Sequence, residues 1–238
     1  MKKQIPYHLV LLPDGNRRWA RERNLSIFQG HWEGYQNLKR FCKWSQKRGI
    51  KVLTAFGFST ENWRRSKQEV NYLMELLEKG LSEGLEEYHQ KKREAQLFSN
   101  KVKVRIIGQK ERLPSSLQKI IEKVENLTES NQEYILNLAI SYSGRWDILQ
   151  ATQKIVEKKI PAKKITETVF DSYLSTANLP APDLIIRTSD EKRLSNFLLW
   201  QSAYSELYFS KKYWPDFTEK DLDLALKEYA RRQRRFGE

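Results

Sequence analysis

Four polar stretches hold the residues best suited to chemistry, and each belongs to the end of an apolar run. They are Asp14-Gly15-Asn16-Arg17-Arg18, Ser59 through Arg65, Ser141 through Arg145, and Arg187 through Ser195. Arginines are frequent in them and metal-type carboxylates are few. Planar guanidinium forks pair phosphate oxygens in charge-assisted bonds, so such a set suits diphosphate groups. In the first stretch a carboxylate stands beside a glycine whose backbone can approach a ligand closely, which suits a metal-bound phosphate. A helix starting there adds unpaired N–H groups and a partial positive charge, and Arg17 and Arg18 add full charges. Taken alone, the stretch serves equally well as an ordinary strand-to-helix turn with Asn16 as cap.

Other chemistries lack their marks. There is no Gly-x4-Gly-Lys-Ser/Thr phosphate loop, no Gly-x-Gly-x-x-Gly and no Gly-x-Ser-x-Gly elbow. His8, His31 and His89 are scattered rather than set at zinc spacings.

The elements that must hold these stretches alternate in kind. Residues 7–12, 51–58, 101–108, 134–140, 183–187 and 206–209 read as strands. Helical spacing runs through 32–48, stopped by Gly49, and then from Val70 to Tyr88 as one apolar stripe. Such a stripe is core, or one wall of an apolar tunnel. Pro114 opens another helix, and a further one ends at Val156. Residues 21–30 read as a polar loop, and 159–182 as a lysine-rich connector with a short helix near 166–174. Ser195 reads as the cap of a helix over 196–204, and 218–235 as an amphipathic tail rich in arginine. This alternation predicts an α/β fold with a mainly parallel central sheet flanked by helices, ligands lying at the C-terminal strand edges. No linker or repeat divides it, so residues 1–238 are expected to form one domain.

The 238 residues carry 43 Lys+Arg against 30 Asp+Glu, a net charge of +13 that favours polyanionic partners without choosing among them. Cys42 is the only cysteine, which excludes an intrachain disulfide and fits a reducing cytoplasm. No run approaches the roughly 20 apolar residues of a membrane span, and the N-terminus lacks a signal-peptide layout. No nucleic-acid-binding module is recognisable, so nucleic acid is not an expected partner.

Several of these segments together resemble a known family. They are His8 to Ala20, Gly30-His31, Phe58 to Trp63, Tyr142 to Asp147, Asp183 to Thr188 and Arg193 to Gln201. In order and spacing, from about residue 7 to Gly237, they are similar to the cis-prenyltransferases, the undecaprenyl diphosphate synthase family. The resemblance implies parallel strands around a hydrophobic tunnel, a homodimer, and Mg²⁺ as cofactor. It implies condensation of isopentenyl diphosphate onto an allylic diphosphate, usually farnesyl diphosphate, with formation of cis double bonds. It also implies a cytoplasmic enzyme, in peripheral contact with the membrane that takes up its lipid product.

By motif position, Asp14 would be the catalytic, Mg²⁺-organising carboxylate. Gly15, Asn16, Arg17, Arg18 and Trp19 would surround the allylic diphosphate, with His31 touching the same group. Ser59, Thr60, Glu61, Trp63 and Arg65 fall on substrate-contact positions, and Asn62 on the position linked to proton removal. Arg187, Arg193, Leu194 and Ser195 fall on the isopentenyl diphosphate site, and Glu206 on a second metal-associated position. Arg235-Phe236-Gly237 would reach across the dimer. Asp14 and Ser195 could otherwise be helix caps, Arg187 and Arg193 surface charges, and Glu206 an arginine partner.

The chain departs from the family pattern in four places. Ile27 stands where an arginine normally precedes the Gly-His pair, leaving Arg21 or Arg23 to substitute. Ser189-Asp190 replaces a glycine pair, Ser66 replaces a proline, and Gly57 is a small residue at a tunnel-facing position, which favours a longer product. Alternatives are a short-chain or branched cis-prenyl diphosphate synthase, or a weakly active partner subunit of a prenyltransferase. Partner subunits of that kind lack the opening Asp, which this chain keeps.

Overall fold

The computed structural model describes residues 4–90 and 101–232. Its framework is a six-stranded sheet in which every pairing is parallel. The strands are β1 (His8–Leu12), β2 (Val52–Ser59), β3 (Val102–Ile107), β4 (Tyr134–Tyr142), β5 (Leu184–Arg187) and β6 (Glu206–Phe209). They lie in the order β3-β4-β2-β1-β5-β6. The helices are α1 (Asn16–Glu22), α2 (Ile27–Lys47), α3 (Lys67–His89), α4 (Ser115–Thr128), α5 (Gly144–Glu157), α6 (Glu167–Asp171) and α7 (Glu219–Tyr229).

A sheet covered on both sides needs strands that are apolar throughout, and β1 is buried at every residue. Its one polar member, His8, is absorbed by a hydrogen-bonded chain. Its Nδ1–H donates to the Pro180 carbonyl at 2.7 Å, while Nε2 lies 2.7 Å from the Thr54 hydroxyl, itself 3.2 Å from the Asn137 amide. Burial pushes the His8 pKa down to about 4, against smaller opposing effects of Pro180 and Asp183. An unfolded histidine titrates near 6.5, so protons favour the unfolded chain: His8 contributes fully above pH 6.5 and loses its contribution as pH falls toward 4. The expected loss is about 3 kcal/mol across that window. Denaturant midpoints measured from pH 7 to 4 test this, and His8→Gln should flatten the slope. An unchanged slope would assign it to other groups.

The larger core lies between one face of the sheet and α2, α3, α4 and α7, with Phe41, Trp214 and Phe217 packed ring to ring. The smaller one holds Tyr142, Phe197 and Leu198, against which Phe56 and Trp146 pack. The pairing of β2 with β4 slips between Phe56 and Phe58. That irregularity sends Phe56 onto Phe197 at 4.0 Å and Phe58 onto Trp63 at 5.0 Å, toward different cores.

The chain differs from the sequence expectation in three places. Residues 21–30 are not one loop: α1 runs to Glu22, only 23–26 connect, and Ser26 caps α2. Its side chain accepts from the Gln29 amide at 3.2 Å and the Gln29 side chain accepts from the Ser26 amide at 2.9 Å, a capping box that takes Gly30 and His31 into the helix. Gly15, not Asn16, caps α1, with φ at 105°. No helix forms over 196–204: Ser195, Asn196 and Leu198 take φ of 48°, 62° and 44°, and turns follow. Asn196 instead serves α5, its carbonyl accepting from Gly144 at 2.6 Å and its side chain from the Arg145 amide at 3.0 Å. The Arg235-Phe236-Gly237 segment lies outside the described residues.

Candidate active site

After β1 the chain turns to one side of the sheet through β2, and after the connector it returns to the other side as β5. The two strands flanking β1 therefore leave a crevice above its end, where loops diverge. Leu12 is in register with Arg187, so Asp14 and the last residue of β5 meet there. Arg187 Nη2 donates to Asp14 Oδ2 at 2.9 Å, and Nη1 donates to Ser195 Oγ at 2.8 Å and to the Arg193 carbonyl. The Arg187 side chain is 6% exposed and that of Asp14 is 35% exposed, so the carboxylate keeps a face toward the crevice. Thr188 fixes the backbone: its hydroxyl accepts from the Asp14 amide at 2.8 Å and donates to the Asp14 carbonyl at 2.7 Å.

Gly15 has to be glycine here. Its φ is 105°, and a Cβ would stand 2.7 Å from both Ser189 Oγ and Tyr213 Cδ1. Ser189 and Asp190 take positive φ of 78° and 55°, so the residues that replace a glycine pair keep a glycine-like backbone.

A second cluster lines the opposite wall. Glu69 of α3 is buried, and its Oε1 accepts from His31 Nε2 at 3.0 Å and Arg65 Nη1 at 3.0 Å, with Arg17 Nε 3.7 Å away. Burial alone would raise the Glu69 carboxyl, yet the His31 bond and the charges of Arg65 and Arg17 bring it below the ordinary range. Burial lowers the His31 pKa against the opposing bond to Glu69, so the ring is neutral at pH 7. An ionised carboxylate only accepts, so the ring proton sits on Nε2. Ser66 caps α3, accepting from the Glu69 amide at 3.3 Å, which accounts for a serine at the proline position.

Asp14, Gly15, Asn16, Arg17, Arg18, His31, Ser59, Glu61, Asn62, Arg65, Arg187 and Ser195 all line one cavity of about 860 Å³. Below this polar mouth its walls are Leu38 of α2, Leu73, Leu76, Leu77 and Leu81 of α3, and Phe56, Gly57, Phe58 and Leu138 of the sheet. Asn16 Oδ1, Arg17 Nε and Arg187 Nε are buried at the mouth without a hydrogen-bond partner. Buried polar groups are normally satisfied, so these orphans, two of them cationic, fit an anionic ligand seated among them. Arg21 also lines the mouth, whereas Arg23 is held by Asp216 at 2.9 Å and stacks on Trp19. Arg21 is thus the arginine available where Ile27 provides none.

Other expected contacts are not brought to the cavity. Trp19 donates to Asp216 at 2.7 Å, Trp63 donates to Ser141 at 2.9 Å, Thr60 bonds Glu61, and Leu194 packs on the smaller core. Arg193 is exposed at the rim and paired with Glu191. Within this chain Glu206 begins β6 in register with Leu184 and so with Leu9, roughly 10 Å before the end of β1 at Leu12. Its carboxylate accepts from Arg232 at 2.6 Å.

Sequence reasoning missed Glu69, Thr188 and Glu191. The Glu69 signal was present as an Arg65/Glu69 pair at helical spacing; Glu191, which binds Arg18 at 2.9 Å and also Arg193, had no comparable mark. We expect Glu69→Gln, which keeps shape and removes charge, to misalign Arg17, Arg65 and His31. The expected loss in kcat/KM for the anionic substrate is roughly tenfold to a hundredfold. Steady-state kinetics with a thermal melt checks this, and unaltered kinetics would reduce Glu69 to a structural residue.

Among the described residues no group of three or more His, Cys, Asp or Glu could hold a metal ion. Magnesium is commonly held by one or two carboxylates together with substrate phosphates. The half-open Asp14 carboxylate, whose Oδ1 has only a 3.5 Å contact to Arg18, fits that arrangement.

Residues 12–237 match the family model described as putative undecaprenyl diphosphate synthase. An isoprenyl transferase of Thermotoga maritima is 48% identical, covering 98% of this chain and 97% of its own length. A Legionella pneumophila ditrans,polycis-undecaprenyl-diphosphate synthase, (2E,6E)-farnesyl-diphosphate specific, is 40% identical over 100% of this chain and 98% of its own. The crystal structure of lavandulyl diphosphate synthase from Lavandula x intermedia with dimethylallyl diphosphate superposes with a TM-score of 0.90. It is 38% identical and covers 98% of this chain and 99% of its own.

Proposed function

The chain belongs to the undecaprenyl diphosphate synthase family of cis-prenyltransferases, and from that premise we propose that it extends farnesyl diphosphate with isopentenyl units to a long polyprenyl diphosphate. The observation that carries this reading is the Asp14–Arg187 pair set at the polar mouth of a leucine-lined cavity. Diphosphates belong at the mouth, and the growing hydrocarbon belongs beneath.

In this reading Arg17, Arg18, Arg21 and the first amides of α1 bind the allylic diphosphate, and Arg187 with Ser195 and Arg193 binds isopentenyl diphosphate. Asp14, between the two, would hold Mg²⁺ with the substrate phosphates. Bound magnesium supplies neutralisation of charge on the departing diphosphate. The allylic carbon–oxygen bond breaks and releases diphosphate, a carbon–carbon bond forms to the terminal C4 of isopentenyl diphosphate, and a proton leaves C2 as the double bond moves to C2–C3. Fixed arginines and amides stabilise the charge that develops on the leaving oxygens. Asn62 lines the mouth, with its Oδ1 accepting from the Ser59 amide at 3.1 Å, so its side-chain N–H₂ is the part free to orient a diphosphate. An amide is a poor base, and the released diphosphate is the better proton acceptor.

The product-length assignment is supported by Gly57 in the cavity wall, where a side chain would take up room. A short or branched product is the second reading, favoured by the likeness to lavandulyl diphosphate synthase. Leu149 and Val156 of α5 are exposed, as are Leu199, Trp200 and Tyr204, and apolar side chains left uncovered in this way suit a homodimer. Among the described residues no helix is long and apolar enough to cross a membrane, and the buried, unpaired Cys42 fits a cytoplasmic enzyme.

Incubation with farnesyl diphosphate and labelled isopentenyl diphosphate, with and without Mg²⁺, tests the proposal. Magnesium-dependent long polyprenyl products are expected. Products that stop after one or two additions would establish the second reading, and no consumption of either substrate, nor of dimethylallyl diphosphate offered in their place, would overturn both.

A further inference from the structure

Most of the deep α2–α3 wall of the cavity consists of leucines, whose rotamers can adjust as a chain grows. Tyr35 of α2 differs from them. A Cβ on Gly80 of α3 would stand 2.9 Å from Tyr35 Cε2 and 3.4 Å from its hydroxyl oxygen, so the ring lies edge-on against the α3 backbone. Its hydroxyl donates to Glu83 Oε2 at 2.6 Å, and Lys39 Nζ donates to the same oxygen at 2.9 Å. Lys39 also stands 5.5 Å from the ring centre, and the Trp32 ring packs at 5.7 Å. The Lys39 side chain is 11% exposed, and Glu83 does not line the cavity. The ring therefore forms a wall panel whose polar end is latched outside the apolar space, across the seam between α2 and α3. A leucine wall yields by rotation, whereas this panel moves only if a charge-assisted bond breaks.

We infer that Tyr35, latched by Glu83 and Lys39, sets the longest prenyl chain the enzyme makes by fixing the bore between α2 and α3. The inference rests on the prenyltransferase reading of the cavity and adds a residue that decides product size. Glycine at position 80 belongs to the same device, because any side chain there would displace the ring.

The test compares product lengths from farnesyl diphosphate and labelled isopentenyl diphosphate for the full-length enzyme, Tyr35→Leu, Tyr35→Phe and Glu83→Gln. Tyr35→Leu removes the panel and should shift the distribution longer by at least one isoprene unit. Tyr35→Phe and Glu83→Gln keep the ring and release the latch, and should shift it the same way by less. Glu83 is remote from the diphosphate mouth, so Glu83→Gln should retain the wild-type rate of the first condensation in a single-turnover measurement. If the wild type consumes no isopentenyl diphosphate, the functional reading itself fails. If it elongates normally while all three variants give the wild-type distribution, or a shorter one, the role assigned to Tyr35 is wrong.

Discussion

Asp14→Ala is expected to lower turnover by at least about a thousandfold, roughly 4 kcal/mol of transition-state stabilisation, while the protein remains folded. The chemical loss follows from position: Asp14 is the open carboxylate between the arginines assigned to the two substrates. The fold should survive because the Asp14 backbone, not its side chain, ties the turn to Thr188 and to Trp214, whose amide donates to the Asp14 carbonyl at 2.9 Å. Arg187 would lose one partner but keep Ser195 and the Arg193 carbonyl. Asp14→Asn separates charge from shape and should be almost as inactive. Turnover measured at saturating substrates, beside a thermal melt of each variant, decides the matter; near-normal turnover in either would remove Asp14 from the mechanism.

The second large effect is expected for Arg187→Ala, concentrated on isopentenyl diphosphate. Its guanidinium is buried and spends three bonds on positioning, so its orphaned Nε and its charge face the crevice from a fixed place. Truncating a desolvated partner of this kind costs roughly 2–5 kcal/mol, which corresponds to a fall in kcat/KM from about thirtyfold to several thousandfold. Arg187→Lys should not rescue it, since a single ammonium cannot serve Asp14, Ser195 and the Arg193 carbonyl in one plane. Kinetics with each substrate varied in turn would show the defect. A loss confined to the allylic substrate would reverse the assignment of the two subsites.

The strands and the crevice were legible because both follow from local signals. Apolar runs such as His8 to Leu12 can only be buried on both faces, and polar residues gather where such runs end. Asp14, Arg187 and Arg65 could thus be read as neighbours before any contact was known. Two boundaries were hidden by competing local rules. Gly30 looked like a loop exit, but the capping box at Ser26 outweighs one helical glycine. Ser195 looked like a helix cap, but its hydroxyl is taken by Arg187 and the next residue accepts from the first two amides of α5, which Ser143 caps. Tyr35 lay inside the helical spacing over 32–48 with nothing to distinguish it, and Glu69 was not singled out at all. Their roles depend on what α2 sets opposite α3, which spacing along one helix does not reveal.

The pairing of β1 with β5 joins residues 175 positions apart in the chain. A nascent polypeptide still attached to the ribosome, with only its first half released, carries Asp14 and the Glu69 cluster yet has no Arg187 to complete the mouth. Diphosphate affinity should therefore arise in one late step of synthesis, when the final third of the protein docks against a strand made at the very beginning.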